Sequence, residues 1–282
     1  SANEENNTSE DESNGRSNPT SANGNTENCN NYEGDWKDGK RNGKGKQIFA
    51  NGVYEGDWKD GLPNGKGKMT SSIGEDNYEG GWKDGEPNGK GKKTFASGTI
   101  YEGDFKDSEP NGKGKQIFAS GTIYEGDFKD GLPNGKGKTT LVDGTIYDGD
   151  WKDSKPNGKG KKTQASGTIY EGDFKDGQPN GKGKTIQANG DIYEGDWKDN
   201  EPNGKGKMTL VNGDIYEGDF KDGKLNGKGK TIQANGDIYE GDWKDSKANG
   251  KGNTITWCDI GKMAEATEMS MINASELLID ED

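Results

Sequence analysis

Aromatic and charged positions alternate through this chain in short blocks, and each block closes on a run of glycine, asparagine and proline. Residues 124 to 146, YEGDFKDGLPNGKGKTTLVDGTI, are typical. Tyr124 and Phe128 fall on one side of a period-two pattern, and Glu125 and Asp127 on the other, as in a half-buried strand. Asp130 to Gly135 supply the φ values and side-chain-to-backbone bonds of a turn. The chain returns through Lys136 to Leu141, and Asp143-Gly144 turn it into the next block. The pattern predicts a β-hairpin in which Asp127 faces Lys138 and Phe128 faces Gly137, with the ring lying over the bare glycine. Gly126 would then leave room between the two rings for a neighbour's aromatic side chain.

The block recurs ten times. It opens at Tyr32, Tyr54, Tyr78, Tyr101, Tyr124, Tyr147, Tyr170, Tyr193, Tyr216 and Tyr239, which are all ten tyrosines of the chain. Four residues after each comes Trp36, Trp58, Trp82, Phe105, Phe128, Trp151, Phe174, Trp197, Phe220 or Trp243. One such hairpin buries too little apolar surface to offset the entropy of ordering it, so neighbours must stack, as in other repeat architectures. The expected fold class is all-β: a solenoid of stacked antiparallel β-hairpins forming an elongated twisted ribbon. At about 4.8 Å per strand it would extend about 95 Å. The twenty rings are the expected repeat core.

Composition alone would argue against folding. Hydrophobic residues make up 24% and charged residues 32%, with a mean hydropathy of -1.26, the profile of a disordered chain. The phased aromatics and the regular spacing of the 49 glycines reverse that inference. The net charge of -13 argues against nucleic acid as a partner, but it belongs to the ends. Residues 1–31, rich in Asn and Ser, carry a net -5 and residues 257–282 a net -6, leaving the repeated body, 32–256, nearly neutral. The first segment is expected to be a disordered acidic tail. The last has a rough helical spacing in Ile260, Met263, Ala264, Met271, Leu277 and Leu278. It reads as a short C-terminal helix with an acidic end, either capping the open sheet edge or offering a partner a Met-rich face.

Catalytic chemistry finds little to use. His is absent, and the two cysteines, Cys29 and Cys258, stand without a CxxC partner. His-based catalysis and ordinary Cys/His zinc sites are therefore excluded, and free thiols in a reducing compartment are expected. GLPNGKG, residues 61–67, is a poor phosphate-binding loop: three residues separate Gly61 from the Gly-Lys pair, and Gly follows the Lys. Acid pairs such as Glu125 and Asp127 recur beside Lys in nearly every block, so none is singled out as catalytic or as a calcium site. No apolar run reaches the length of a membrane span. The expectation is a chain that is not an enzyme and holds no metal or cofactor.

One row of side chains remains a candidate binding surface: Lys44, Lys66, Lys90, Lys113, Lys136, Lys159, Lys182, Lys205, Lys228 and Lys251, one per block. These could line up as a basic stripe for anionic lipid headgroups. Alternatively, they pair with the acids of adjacent strands as a neutralised ladder.

The YEGDW, DG and NGKG segments at a 23-residue period resemble the MORN repeat (membrane occupation and recognition nexus), whose unit reads close to YEGEWKDGKRHGKG. The resemblance covers residues 32 to about 256. The chain departs from that unit in having Asn where His is common, as at Asn42 and Asn64, and Lys where an apolar residue often follows the glycines, as at Lys46 and Lys138. The resemblance implies stacked antiparallel hairpins and a non-catalytic scaffold or adaptor role, with protein partners bound along the array in the cytoplasm, where association with the cytoskeleton or a membrane is a further expectation. Two alternatives accompany it: a peripheral membrane adaptor binding phosphoinositides, or the accessory repeats of a phosphatidylinositol phosphate kinase-like protein or a methyltransferase. Pairing of copies through the terminal repeats is a further expectation, since open sheet edges invite it.

Overall fold

A computed structural model describes residues 31–256. These form twenty strands, from β1 (Tyr32–Lys37) and β2 (Lys40–Phe49) to β19 (Ile238–Lys244) and β20 (Lys247–Ile255). Each strand pairs antiparallel with its sequence neighbours, giving one open meander with β1 and β20 at its edges. The described residues contain no helix. The C-terminal helix expected over residues 257–282, the N-terminal tail and both cysteines lie outside the described residues.

The fifth repeat shows how sequence sets the hairpin. β9 (Ile123–Lys129) and β10 (Leu132–Thr140) are joined by Asp130-Gly131 alone. Both turn residues have positive φ, +49° and +82°, the two-residue geometry that matches strand twist and for which Asp-Gly is well suited. The turn is therefore tighter than the Asp130–Gly135 segment expected from sequence, and Pro133 to Gly135 belong to the returning strand. At the far end, Gly144 N–H donates to the Leu141 carbonyl at 3.0 Å, with Gly144 at φ +88°.

In four repeats a non-glycine residue occupies the second turn position at positive φ, among them Ser108 at +71°. Its hydroxyl is also buried without a hydrogen-bond partner. Ser108→Gly should therefore stabilise the array by about 1 kcal/mol, read as a higher midpoint in denaturant. An unchanged or lower midpoint would show that this turn carries no strain.

The register differs from the expected one. Glu125 faces Lys138, Gly126 faces Gly137 and Phe128 faces Pro133, with a bulge between Pro133 and Gly137. The cause is the short turn, which sets Lys129 against Leu132, followed by the bulge, which opposes Asn134–Lys136 to Asp127 alone. Asp127 holds the bulge: its Oδ2 accepts the Lys136 N–H at 2.9 Å. Phe128 instead lies opposite Gly112 of β8 (Glu109–Ile117), in the preceding repeat.

The ring over Gly137 is that of Tyr124, which occupies the space a Cβ there would need. Gly126 opens no room for a neighbour either, because a Cβ on it would meet the partner strand backbone and, at 2.8 Å, the Tyr124 hydroxyl. The two facing glycines let the strands and the ring approach closely enough to bury Tyr124 to 1% exposure in a single-layered sheet.

All twenty rings form one unbroken file. Each tyrosine meets the second aromatic of its own repeat and, except for Tyr239 in the last repeat, that of the next, edge to face, with centroids 4.8–5.4 Å apart and planes at 80–90°. Tyr124, for example, lies 5.0 Å from Phe128 and 5.0 Å from Trp151. This geometry places the positive ring edge against the negative ring face and contributes about 0.5–1.5 kcal/mol per pair beyond area burial. Polar atoms are satisfied within the file: Tyr124 Oη donates to the Asp127 carbonyl at 2.9 Å, and Trp151 Nε1 to the Gly137 carbonyl at 2.8 Å. The file loses cover at its ends, where Trp36 is 60% exposed.

Candidate functional site

Strand alternation sends the residues between the aromatics to the opposite face. There Glu125, Lys136 and Lys138, with their counterparts in the other repeats, line an open trough floored by the paired glycines. It spans the sheet in two segments of about 1900 Å³ each, one from Glu33 to Asp148 and one from Lys136 to Asn253. Lys136 and Asp148 line both, so the trough is continuous. Its lining holds all ten lysines of the NGKG row, nine of the row two residues on, and ten acids.

This excess of cations is compensated from the wall. Lys136 Nζ contacts Asp150 Oδ1 of the next repeat at 2.5 Å, and the same pair recurs as Lys44–Asp57, Lys90–Asp104, Lys113–Asp127, Lys159–Asp173, Lys182–Asp196, Lys205–Asp219 and Lys228–Asp242. Eight of the ten candidate lysines are thus ion-paired across the repeat boundary, along the β10–β11 (Ile146–Lys152) type of junction. The other two are Lys66, which faces Gly81, and Lys251, which lies on the last strand. The second lysine row is held more loosely, with separations of 3.5–4.0 Å at Lys46–Glu55, Lys68–Glu79 and Lys184–Glu194.

Each wall aspartate therefore accepts from two directions: a lysine ammonium of the preceding repeat and a backbone N–H of its own. Sequence reasoning placed Asp and Lys on adjacent strands but did not find this bridging role. The signal available was the fixed interval of nine residues between each Asp and the Lys whose N–H it accepts. Lys136 beside Asp150 and Lys182 beside Asp196 hold those carboxyls below the usual carboxylate range, helped by the backbone N–H bond and opposed by burial. At Asp127 and Asp173 burial pushes upward, but the lysine and N–H bonds outweigh it.

A carboxyl with a depressed folded pKa stabilises the fold above its unfolded pKa, and that stabilisation is lost as pH falls through the folded value. Thermal midpoints should therefore be level from neutral pH down to about pH 4 and fall below it. Asp150→Asn should weaken that acid dependence. A midpoint flat to about pH 2 would remove the aspartate bridges as contributors to stability.

Among the described residues, no group of three His, Cys, Asp or Glu side chains is placed to hold a metal ion. No described helix is long and apolar enough to cross a membrane.

The tandem hairpins and their YEGDW-type strands coincide with a known family unit. The MORN repeat matches at residues 32–53, 54–75, 78–100, 101–123, 124–146, 147–169, 170–192, 193–215, 216–238 and 239–254. This chain belongs to the MORN repeat family. MORN repeats are commonly protein- or lipid-binding modules, and the trough of this MORN array is the surface that offers polar groups in every repeat. A comparison with curated proteins finds no match.

Several solved structures show weak likeness to the MORN array. The TCP domain of SAS-4 (dCPAP) from Drosophila melanogaster, in complex with a proline-rich motif of Ana2 (dSTIL), is 12% identical; the match covers 60% of this chain and 84% of that one, with a TM-score of 0.32. A streptogramin B lyase is 16% identical over 72% of this chain and 80% of its own, with a TM-score of 0.15. BamB from Moraxella catarrhalis is 10% identical over 74% and 86%, with a TM-score of 0.14.

Proposed function

We propose that this MORN array is a non-catalytic scaffold that binds protein partners along its trough, on a ribbon about 95 Å long. The observation that carries this reading is the continuity of the trough over ten repeats, with its charges balanced locally by the wall aspartates. A surface of balanced, regularly spaced charges over a rigid aromatic file suits an extended polypeptide, which can satisfy both signs. It suits a uniformly anionic membrane less well, because ten acids share the trough and eight lysines of the candidate row are already paired. A scaffold without metal or cofactor, acting in the cytoplasm and in some settings at the cytoskeleton or a membrane, is consistent with this chemistry. The exposed edge strand β20 and the exposed Trp36 at the other end favour pairing of copies through terminal repeats.

The test has two arms with the full chain. Affinity capture should retain a protein partner, and Lys113, Lys136 and Lys159→Gln together should lose it. Flotation with phosphoinositide liposomes at physiological salt should fail. Flotation that depends on those same lysines, with no partner captured, would replace the scaffold by a membrane adaptor. A rod-like scattering profile should accompany either result, and a compact one would overturn the ribbon.

A further inference from the structure

Ten near-identical repeats offer the same chemistry ten times, so a partner could bind in any register. One repeat breaks that degeneracy. Nine repeats carry Asp before the second aromatic, whereas the third reads YEGGW, with Gly81 at that position. Its strands are β5 (Asn77–Lys83) and β6 (Glu86–Thr94), preceded by β4 (Leu62–Ser71) and followed by β7 (Ile100–Lys106).

What the missing carboxylate would have done is known from its neighbours. Asp57 Oδ1 takes Lys44 Nζ at 2.6 Å and its Oδ2 takes the Lys66 N–H at 2.8 Å. Asp104 takes Lys90 Nζ at 2.7 Å and the Lys113 N–H at 3.0 Å. At the third repeat the two corresponding donors are Lys66 Nζ and the Lys90 N–H, and Gly81 supplies no carboxylate for them. Lys66 instead faces Gly81.

The notch this leaves is open on its Gly89 side, whereas the Asn88 carbonyl oxygen stands where a Cβ on Gly81 would begin. A Cβ at Gly65, Gly112 or Gly135 would run into the wall aspartate, at 2.7–2.9 Å from its Cβ, whereas one at Gly89 would meet nothing within 4 Å. Gly81, Asn88 and Gly89 line the trough here, and no other Asn of that row does so.

We propose that this notch is a carboxylate-binding site, which grips an Asp or Glu side chain of a protein partner between Lys66 Nζ and the Lys90 N–H and so fixes the partner's register on the array. A two-oxygen anion takes the corresponding donors in the adjacent repeats, and charge-assisted bonds of this kind are the strong ones. Glu55 and Glu79, which line the trough beside the notch, repel a polyanionic surface. The site deepens the protein-binding reading and rests on it.

The test follows backbone amides of the full chain by NMR during titration with a blocked Gly-Asp-Gly peptide. Gly-Asn-Gly and inorganic phosphate serve as separate arms. The Lys90 amide should shift saturably with Gly-Asp-Gly and with neither control, while the amides of Lys113, Lys136 and Lys159 stay put. Lys66→Gln should weaken the interaction about tenfold or more, the loss of one bond to a charged group. Gly81→Asp should abolish it by supplying the chain's own carboxylate. A Cβ at Gly81 would collide with the Asn88 carbonyl, so that variant requires the hairpin to adopt its neighbours' path. Lys66→Gln, at an exposed side chain, is therefore the deciding one.

No saturable shift at Lys90, equal shifts along the lysine row, or unchanged affinity in Lys66→Gln would overturn the site. Binding of phosphate in place of the peptide would overturn its assignment to carboxylate. A Lys90 shift on replacing Glu276, Asp280, Glu281 and Asp282 by amides, without peptide, would assign the notch to the chain's own tail and overturn the partner. The capture experiment described above stands or falls separately.

Discussion

Tyr124→Ala should destabilise the centre of the array by about 3–5 kcal/mol, the cost of deleting a buried aromatic ring and leaving its cavity. Tyr124 is 1% exposed, backs the Gly126–Gly137 pair and joins Phe128 to Trp151 in the aromatic file. Its removal uncovers two repeats at once. Tyr124→Phe should cost only about 1 kcal/mol, the value of the hydroxyl bond to the Asp127 carbonyl. Repeat arrays lose structure in blocks, so the appropriate measurement is amide hydrogen exchange. Strands β8 to β11 should lose protection in the alanine variant while β1–β2 and β19–β20 retain it. Equal and small effects of the two substitutions would mean that the ring does not hold the repeats together.

The second large effect is alkaline unfolding. Burial pushes the hydroxyls of Tyr78 and Tyr216 up to about 12. It also raises those of Tyr54, Tyr101, Tyr124, Tyr147, Tyr170 and Tyr193. A group whose folded pKa is raised contributes stability that is complete below the unfolded pKa, about 10 for tyrosine, and is lost as pH rises towards the folded value. Each buried tyrosine adds about 1.4 kcal/mol per pH unit to that fall. Eight unfolding together would therefore give a slope of about 11 kcal/mol per unit.

Phenolate absorbance should rise in one steep step above about pH 10, coincident with loss of the β-sheet circular dichroism. A shallow titration centred near pH 10 with the sheet intact would mean that solvent reaches the hydroxyls, and the buried file would be refuted. The acid and alkaline transitions have separate causes: aspartate bridges in the trough wall and tyrosines on the other face.

Much of the hairpin was legible because its determinants are contiguous. Gly, Pro and Asn within Asp130–Gly135 mark a turn, which the structure narrows to Asp130-Gly131. Tyr124 and Phe128 share a face because a strand has period two. The ring-to-glycine match was not legible. It depends on the bulge opposite Asp127, and the bulge depends on a carboxylate taking the Lys136 N–H nine residues away. The longer turn expected from sequence sets Phe128 opposite Gly137; the two-residue turn sets it opposite Pro133, and the bulge beyond brings Gly126 opposite Gly137, whose bare face the Tyr124 ring covers. The lysine row presented the same difficulty. Its members lie close in sequence to the acids of their own hairpins, yet Lys136 pairs with Asp150 of the next.

Sequence by itself determined that there are ten phased hairpins and that the tyrosines and their aromatic companions face one way, because alternation is a property of neighbouring residues. Tertiary structure alone decided which glycines support which rings, which repeat's carboxylate each lysine meets, and that Lys66 faces Gly81 where the equivalent Lys136 faces Asp150. Those outcomes depend on the offset between strands, and a bulge set by one side-chain hydrogen bond changes that offset for every residue beyond it.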